Sequence, residues 1–253
     1  MAMVTLIGAG PGDPELLTRK AWRILGQADV VLYDALLNAA GMQQAAPEAL
    51  WLSVGKRAGK TSVDQEFICR ALVGYARQGM NVVRLKGGDP ALFGRAAEEL
   101  EACRLAGIPV EIIPGVTSAC AAAADLQTSL TLRGVSRSVA FVTPRIGRDE
   151  KHDSEWLSVS LAARTVVIYM GGAHAHAICQ QLIAGGKHPL TPVCVVENAG
   201  GSGMRVRTTL LSLAQTGLPA MEGPVSILLG EALAQAVIPE QAPAASVSSA
   251  TPT

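Results

Sequence analysis

The run from Val82 to Glu99, VVRLKGGDPALFGRAAEE, constrains the fold more than any other stretch of this chain. Val82, Val83 and Leu85 predict a buried strand, and Gly87-Gly88-Asp89-Pro90 predicts a tight turn. Without a Cβ, the two glycines let backbone approach a ligand or another loop closely. Asp89 brings a carboxylate suited to hydroxyls or a cation. Arg95 and Glu98 follow three residues apart, a spacing that puts them on one face of a helix. Taken alone, the run also fits an ordinary strand–turn–helix corner.

A second turn of the same kind lies near the start of the chain. Gly8-Ala9-Gly10-Pro11-Gly12-Asp13-Pro14 follows an apolar strand, Val4 to Ile7. It precedes a stretch in which Leu17, Ala21, Ile24, Leu25 and Ala28 keep helical spacing. Asp13 and Pro14 suit an N-cap and first turn. The comparison with the dinucleotide fingerprint G-x-G-x-x-G is tempting, because Asp34 ends the next strand where the ribose-binding acid belongs. Asp13, however, replaces the third glycine, and Pro11 removes an N–H that a pyrophosphate needs. A helix start carrying Asp13 and Glu15 repels phosphate. A nicotinamide oxidoreductase is therefore a poor reading.

Strands and helices alternate along the chain. Strands are predicted near 4–7, 30–33, 50–54, 81–85 and 109–113, with helices near 15–27, 64–78, 94–106 and 116–124. The alternation repeats with strands near 138–143, 165–170, 192–197 and 225–229 and helices near 155–162 and 174–184. Arg205 to Leu210 is a candidate further strand. This order predicts an α/β fold with a mostly parallel sheet. A boundary at Pro114-Gly115 divides the chain into an N-terminal α/β domain over 1–114 and a C-terminal one over 115–238. The segment 239–253, rich in Pro, Ala, Ser and Thr, reads as a disordered tail.

Composition excludes several classes. Hydrophobic residues make up 49% of the chain, enough for a sizeable core. The 21 basic and 21 acidic residues balance, which argues against nucleic acid or an anionic membrane as partner. No apolar run approaches the roughly 18 residues that span a bilayer. The first residues read as entering a strand directly, so no signal peptide is expected. Five cysteines, at 69, 103, 120, 179 and 194, form no C-x-x-C pair and read as free thiols in a reducing compartment. A cytoplasmic location is expected.

The runs VTLIGAGPGDPELLTRKA, ADVVLYD, VVRLKGGDP with FGR and EE, and IIPGVTSACAAAA resemble the tetrapyrrole methylase family. The likeness covers roughly residues 4 to 232. Lys86-Gly87-Gly88-Asp89-Pro90 and Tyr169-Met170-Gly171 are most similar to the branch that methylates uroporphyrinogen III on carbon. The resemblance implies two α/β domains, distinct from Rossmann-like methyltransferases, with the active-site cleft between them. It implies S-adenosyl-L-methionine as cofactor, S-adenosyl-L-homocysteine as its product, no metal, and a homodimer. The implied reaction is two successive C-methylations, at C2 and C7, converting uroporphyrinogen III to precorrin-2.

By position, the resemblance assigns Pro11, Gly87, Gly88, Asp89, Leu92, Thr117, Ser118, Met170 and Ala199 to the cofactor. Backbone amides at the glycine turns and the Thr117 and Ser118 hydroxyls suit its polar parts. Leu92, Met170 and Ala199 suit an adenine slot; Met170 alone reads as core packing, and only the flanking Tyr169 and Gly171 point it to the site. Asp34 and Lys56 match an acid–base pair, and Arg95 matches a catalytic position. A positioned base is expected because C-methylation of a pyrrole requires loss of a proton. Arg95, Glu98 and Arg133 match positions facing the substrate, whose eight carboxylates suit bidentate arginine. Arg95 and Glu98 pairing with each other is the competing reading.

The departures from the family pattern fall on the substrate side. Leu132 stands where Gly-Ile-Pro-Leu-Thr-His-Arg has its histidine, Ala96 and Ala97 replace glycines, Met204 replaces a Gln, and Pro144-Arg145 replaces Gly-His. His174 and His176 have no third ligand at metal spacing. A methylase of a later corrin precursor, and a catalytically weak S-adenosylmethionine-binding module, remain as alternatives.

Overall fold

The computed structural model describes residues 2–34, 37, 39–54, 65–144 and 155–238. Lys56, Arg145 and the predicted tail over 239–253 lie outside them. The first sheet contains β1 (Val4–Gly8), β2 (Val30–Tyr33), β3 (Leu50–Ser53), β4 (Val82–Lys86) and β5 (Val110–Ile113), in the order β3-β2-β4-β1-β5. Every pairing is parallel. All residues of β1 and β4 are buried, as expected of central strands covered on both faces. Helices α3 (Gln65–Arg77) and α4 (Ala96–Leu105) cover one face through Ile68, Leu72 and Cys103, against Leu6, Leu32 and Val82. Helices α1 (Arg19–Leu25) and α2 (Ala39–Gln43) cover the other through Leu25 and Met42, against Ile7, Val31 and Leu85. Each of these large side chains contributes about 1.5–3 kcal/mol by leaving water.

The helix predicted over 15–27 is split. Asp13 caps a short 3-10 turn, Pro14–Leu16, its Oδ1 accepting the Glu15 N–H at 2.9 Å. Leu17 is extended, and Thr18 starts α1 afresh, its Oγ1 accepting the Ala21 N–H at 3.1 Å. Two N-cap residues five apart thus outweigh a continuous helical periodicity.

The second sheet contains β6 (Val139–Val142), β7 (Thr165–Tyr169), β8 (Pro192–Glu197), β9 (Arg205–Thr209) and β10 (Val225–Leu229), in the order β6-β7-β10-β8-β9. Here the expectation of mostly parallel pairing fails. Only β6 and β7 run parallel, while β10 is antiparallel to both β7 and β8, and β8 to β9. The connection over 198–204 is too short for a parallel crossover, so β8 and β9 form a hairpin. Helices α6 (Glu155–Ala162), α7 (Ala175–Ala184) and α8 (Leu210–Thr216) pack around Ile168, Val193 and Ile227. Helix α5 (Ser118–Asp125), directly after β5, instead lays Ala119, Ala122 and the following Leu126 on Val167, Val196 and Leu228 of the second sheet.

This topology positions a site. The chain leaves β1 for β2 on one side and β4 for β5 on the other, so the reversal of strand order falls between β1 and β4. Ligands of open α/β sheets bind at the carboxyl ends of strands at such a point. Both glycine turns lie there.

Candidate active site

A cavity of about 930 Å³ opens at the ends of β1 and β4 and is walled on its far side by loops of the second sheet. It is lined by all nine residues expected to hold the cofactor, Pro11, Gly87, Gly88, Asp89, Leu92, Thr117, Ser118, Met170 and Ala199, and by Asp34.

The two glycine turns are zipped together. Gly10 N–H donates to the Gly88 carbonyl at 3.2 Å and Gly88 N–H to the Gly10 carbonyl at 2.7 Å, with both residues in the left-handed region. The Gly87 N–H donates to Asp34 Oδ2 at 3.2 Å. The amides of Gly87 and Gly88, expected to face a ligand, are therefore engaged within the protein. The glycines serve close approach instead: a Cβ on Gly115 would lie 2.4 Å from the Gly88 carbonyl oxygen, and one on Gly8 2.5 Å from the Gly115 nitrogen. Asp89 completes the joint, accepting from Ala91 N–H at 2.8 Å and Gly115 N–H at 2.9 Å. A carboxylate has about four acceptor sites, so it retains capacity toward a ligand.

The floor beneath Asp34 is a buried charge network that sequence reasoning missed. Asp34 Oδ1 accepts from Arg84, whose Nε donates to Glu99 at 3.1 Å. Lys86 Nζ donates to both Glu99 oxygens at 2.9 Å, and Gln65 donates to the same carboxylate at 3.1 Å. Glu99 is fully buried, and Arg84 and Lys86 nearly so. Burial, then the neighbouring Arg84 charge, holds the Lys86 ammonium below the ordinary lysine pKa. Two acids and two bases neutralise one another, as buried charges must. The signal was present: Arg84 and Lys86 sit two apart in a strand, hence on one side, and Glu98-Glu99 opens the helix that covers it. Lys86 itself lines the cavity.

On the opposite wall, Thr117 and Tyr169 hydroxyls hydrogen-bond at 2.5 Å, and Ser226 Oγ donates to Ser118 Oγ at 3.2 Å. Burial pushes the Tyr169 hydroxyl pKa up. Leu218 and Met221, unforeseen in the sequence, extend the apolar lining of Leu92, Met170 and Ala199. Met170 is not a core residue: it is 64% exposed with φ 56°. Such backbone costs a non-glycine residue about 1–3 kcal/mol and gathers at functional sites. Glu197 fastens this wall, accepting from Glu222 N–H at 2.7 Å, Gly223 N–H at 2.8 Å and Met204 N–H at 3.1 Å. Those amide bonds hold its carboxyl below the usual carboxylate range. Asp125 joins Gly200 N–H at 2.8 Å and Arg205 at 2.6 Å.

The residues expected to face the substrate do not line the cavity. Arg95 and Glu98 form a bidentate pair at 2.8 and 2.7 Å on the exposed start of α4. Arg133 is exposed in the loop closed by the Leu132–Ser136 bridge. His176 lines the cavity, but among the described residues no His, Cys, Asp and Glu cluster could hold a metal. No helix among them is long and apolar enough to cross a membrane.

The family model for tetrapyrrole (corrin/porphyrin) methylases matches residues 3–214. This chain belongs to the tetrapyrrole methylase family. Among curated relatives, siroheme synthase 2 of Aeromonas hydrophila is 43% identical over 232 residues, covering 91% of this chain and 49% of that protein. Siroheme synthase 2 of Yersinia pestis is 45% identical over 228 residues, covering 89% and 47%. The chain thus spans about half the length of the curated relatives it matches. Among solved structures, the uroporphyrin-III C-methyltransferase of Thermus thermophilus complexed with S-adenosylhomocysteine matches with TM-score 0.79 and 37% identity, covering 92% of this methylase and 99% of that one. A cobalt precorrin-4 methyltransferase of cobalamin biosynthesis matches with TM-score 0.78 and 33% identity, covering 91% and 95%.

Proposed function

We propose that this methylase is an S-adenosyl-L-methionine-dependent uroporphyrinogen-III C-methyltransferase that forms precorrin-2 by methylation at C2 and C7. The observation that carries the reading is the cavity at the β1/β4 reversal, which gathers Asp34 with all nine expected cofactor residues. The donor set suits the molecule: hydroxyls of Thr117 and Ser118 and the Asp89 carboxylate for its polar parts, and Leu92, Met170, Ala199, Leu218 and Met221 for adenine. The likeness in sequence and shape to the Thermus thermophilus enzyme, across nearly the whole of both chains, supports the same acceptor.

The bound donor supplies an electrophilic methyl group on sulfur. The Asp89 carboxylate and the Thr117 and Ser118 hydroxyls would hold the donor as that methyl passes to a pyrrole carbon of the acceptor, the S–CH3 bonding pair staying on sulfur. The macrocycle then discharges its added positive charge by losing a proton. Asp34 is proposed to receive it, its cavity-lining carboxylate being held by Arg84 and the Gly87 N–H. Lys56 is its proposed acid partner, and Arg95, Glu98 and Arg133 are proposed to meet acceptor carboxylates at the rim. We assign the domain boundary near Pro114 and a homodimeric, cytoplasmic protein.

The test is incubation of the purified chain with uroporphyrinogen III and methyl-labelled S-adenosylmethionine, read by mass spectrometry. Two added methyls are expected, and an Asp34→Asn variant should lose roughly a hundredfold or more in turnover, the usual contribution of a positioned base. Unmethylated acceptor under saturating donor would overturn the reading. Methylation only of a precorrin would favour the later-acting alternative, to which the 33% identity with the cobalt precorrin-4 enzyme lends support.

A further inference from the structure

The chain has only three each of Phe, Tyr and Trp, yet three of those nine rings meet at the mouth of the cavity. Phe93 and Tyr169 stand 5.3 Å apart between centroids at 59°, and Phe141 and Tyr169 stand 6.0 Å apart at 84°. The register explains the second contact. Phe141 of β6 pairs with Val167 of β7, so Tyr169 is its diagonal neighbour on the same face. Phe93 and Tyr169 line the cavity, whereas Phe141 does not. The rings therefore run from inside the cavity outward along its rim.

Two features set this cluster apart from core packing. Phe93 is 40% and Phe141 38% exposed, so apolar ring surface faces water beside a site. Phe93 also holds φ 54°, a conformation that a bulky side chain rarely adopts, and Met170, next to Tyr169, holds φ 56°. Both strained residues line the cavity, and the strain presents their side chains there instead of in the core. Arg95 lies two residues beyond Phe93, with its guanidinium on the exposed face.

We infer that Phe93, Tyr169 and Phe141 form an aromatic shelf, running from the donor cavity out to Phe141, that supports the ring system of the acceptor. The inference rests on the proposed function and adds to it the surface that reads the acceptor's body, as distinct from its carboxylates. A tetrapyrrole offers broad apolar ring faces with a carboxylate periphery. The shelf offers ring faces and edges, which prefer tilted and edge-to-face contacts, with a cationic side chain of Arg95 close by in sequence. The donor's adenine is already suited by the apolar lining of Leu92, Met170, Ala199, Leu218 and Met221, which leaves Phe141 free to serve the acceptor.

The test compares the unaltered chain with Phe141→Ala, Phe141→Leu and Phe93→Ala. Steady-state kinetics use uroporphyrinogen III and S-adenosylmethionine, and calorimetry measures S-adenosylhomocysteine affinity. Phe141→Ala is expected to raise KM for the acceptor at least tenfold, Phe141→Leu less, with S-adenosylhomocysteine affinity within about twofold in each. Phe93→Ala, which lines the cavity, is expected to affect both ligands, the acceptor more. An unchanged acceptor KM in both alanine variants overturns the shelf. If the unaltered chain does not methylate uroporphyrinogen III, the proposed function fails, and the shelf is then judged on its own by binding of uroporphyrin III to the S-adenosylhomocysteine complex. At least tenfold weaker binding by Phe141→Ala upholds it, and equal binding overturns it.

Discussion

Replacing Glu99 by Gln removes one charge from the centre of the molecule while nearly preserving its shape. Glu99 is fully buried, and its carboxylate is shared by Arg84 Nε at 3.1 Å and Lys86 Nζ at 2.9 Å. Without it, two buried cations share the single negative charge of Asp34, whose side chain is 31% exposed. Breaking a buried pair from one side costs about 3–5 kcal/mol, because the remaining charge stays desolvated. At about 2–4 °C per kcal/mol for a chain of this size, the melting temperature should fall by roughly 6–20 °C. The pH dependence carries a second signature. Lys86 titrates below its ordinary value because burial and Arg84 outweigh the pull of Glu99. A group whose folded pKa lies below its unfolded one binds fewer protons when folded, so stability rises with pH across that window. Losing Glu99 lowers the Lys86 value further and extends the window downward. Glu99→Gln should therefore regain part of its deficit as pH rises toward the ordinary lysine value. Adding Lys86→Met should remove that slope and restore part of the stability. Urea unfolding of the three proteins across pH measures both effects. A loss under about 1 kcal/mol, or a double variant no more stable than Glu99→Gln, would refute the account of the network as a mutually compensated buried set.

Three further outcomes follow from the cavity walls. Asp89→Ala should weaken S-adenosylhomocysteine binding by about 1–3 kcal/mol in calorimetry, since the lost carboxylate ties Ala91 and Gly115 to the turn; unchanged affinity would remove Asp89 from the site. Gly115→Ala places a Cβ 2.4 Å from the Gly88 carbonyl, against backbone that cannot rotate away, and should cost about 1–3 kcal/mol in urea unfolding. Glu197, depressed by three amide bonds, contributes stability that is present above its unfolded pKa and lost as pH falls through its lower folded value. The advantage of the unaltered chain over Glu197→Gln should accordingly be full at neutral pH and vanish in strong acid, as followed by circular dichroism.

The first sheet was legible because β1 and β4 are rich in Val, Leu and Ile and end in glycine turns, as buried parallel strands do, although Arg84 and Lys86 interrupt the apolar run of β4. The second sheet was legible as strands but not as topology. A strand such as β10 reads identically whether its neighbours run parallel or antiparallel, and the direction is decided by short connections such as 198–204. Helix α8 was missed because only seven residues carry it and its Thr209 cap lies inside a β-branched stretch. The site divided along the same line. That Pro11, Thr117, Met170 and Ala199 meet at one cavity was foreseeable only through the family resemblance; spacing alone relates none of them. Arg84 and Glu99 went unread because burial of a charge depends on the partner across the layer, which sequence periodicity does not carry.

The donor and acceptor sides of this cleft differ in what holds them, and that difference is testable at Leu132. The donor side is fixed by backbone ties between Gly10 and Gly88, by Asp89 on Gly115, and by buried charge; few side chains there can change without moving a loop. The rim is built of exposed residues on backbone that holds itself. Leu132 is 47% exposed, and its loop is closed by its own N–H and carbonyl on Ser136 at 3.0 and 2.8 Å. Leu132→His, which restores the residue usual in the family, should thus leave stability within about 0.5 kcal/mol, as exposed substitutions do. S-adenosylhomocysteine affinity should stay within about twofold, because Leu132 does not line the cavity. Only the acceptor kinetics should respond, with kcat/KM for uroporphyrinogen III rising if the histidine meets an acceptor carboxylate, a gain of about 1.4 kcal/mol for each tenfold. A variant that altered donor affinity and left acceptor turnover unchanged would show that the two sides are coupled through this loop, and the separation drawn from the backbone ties would fall.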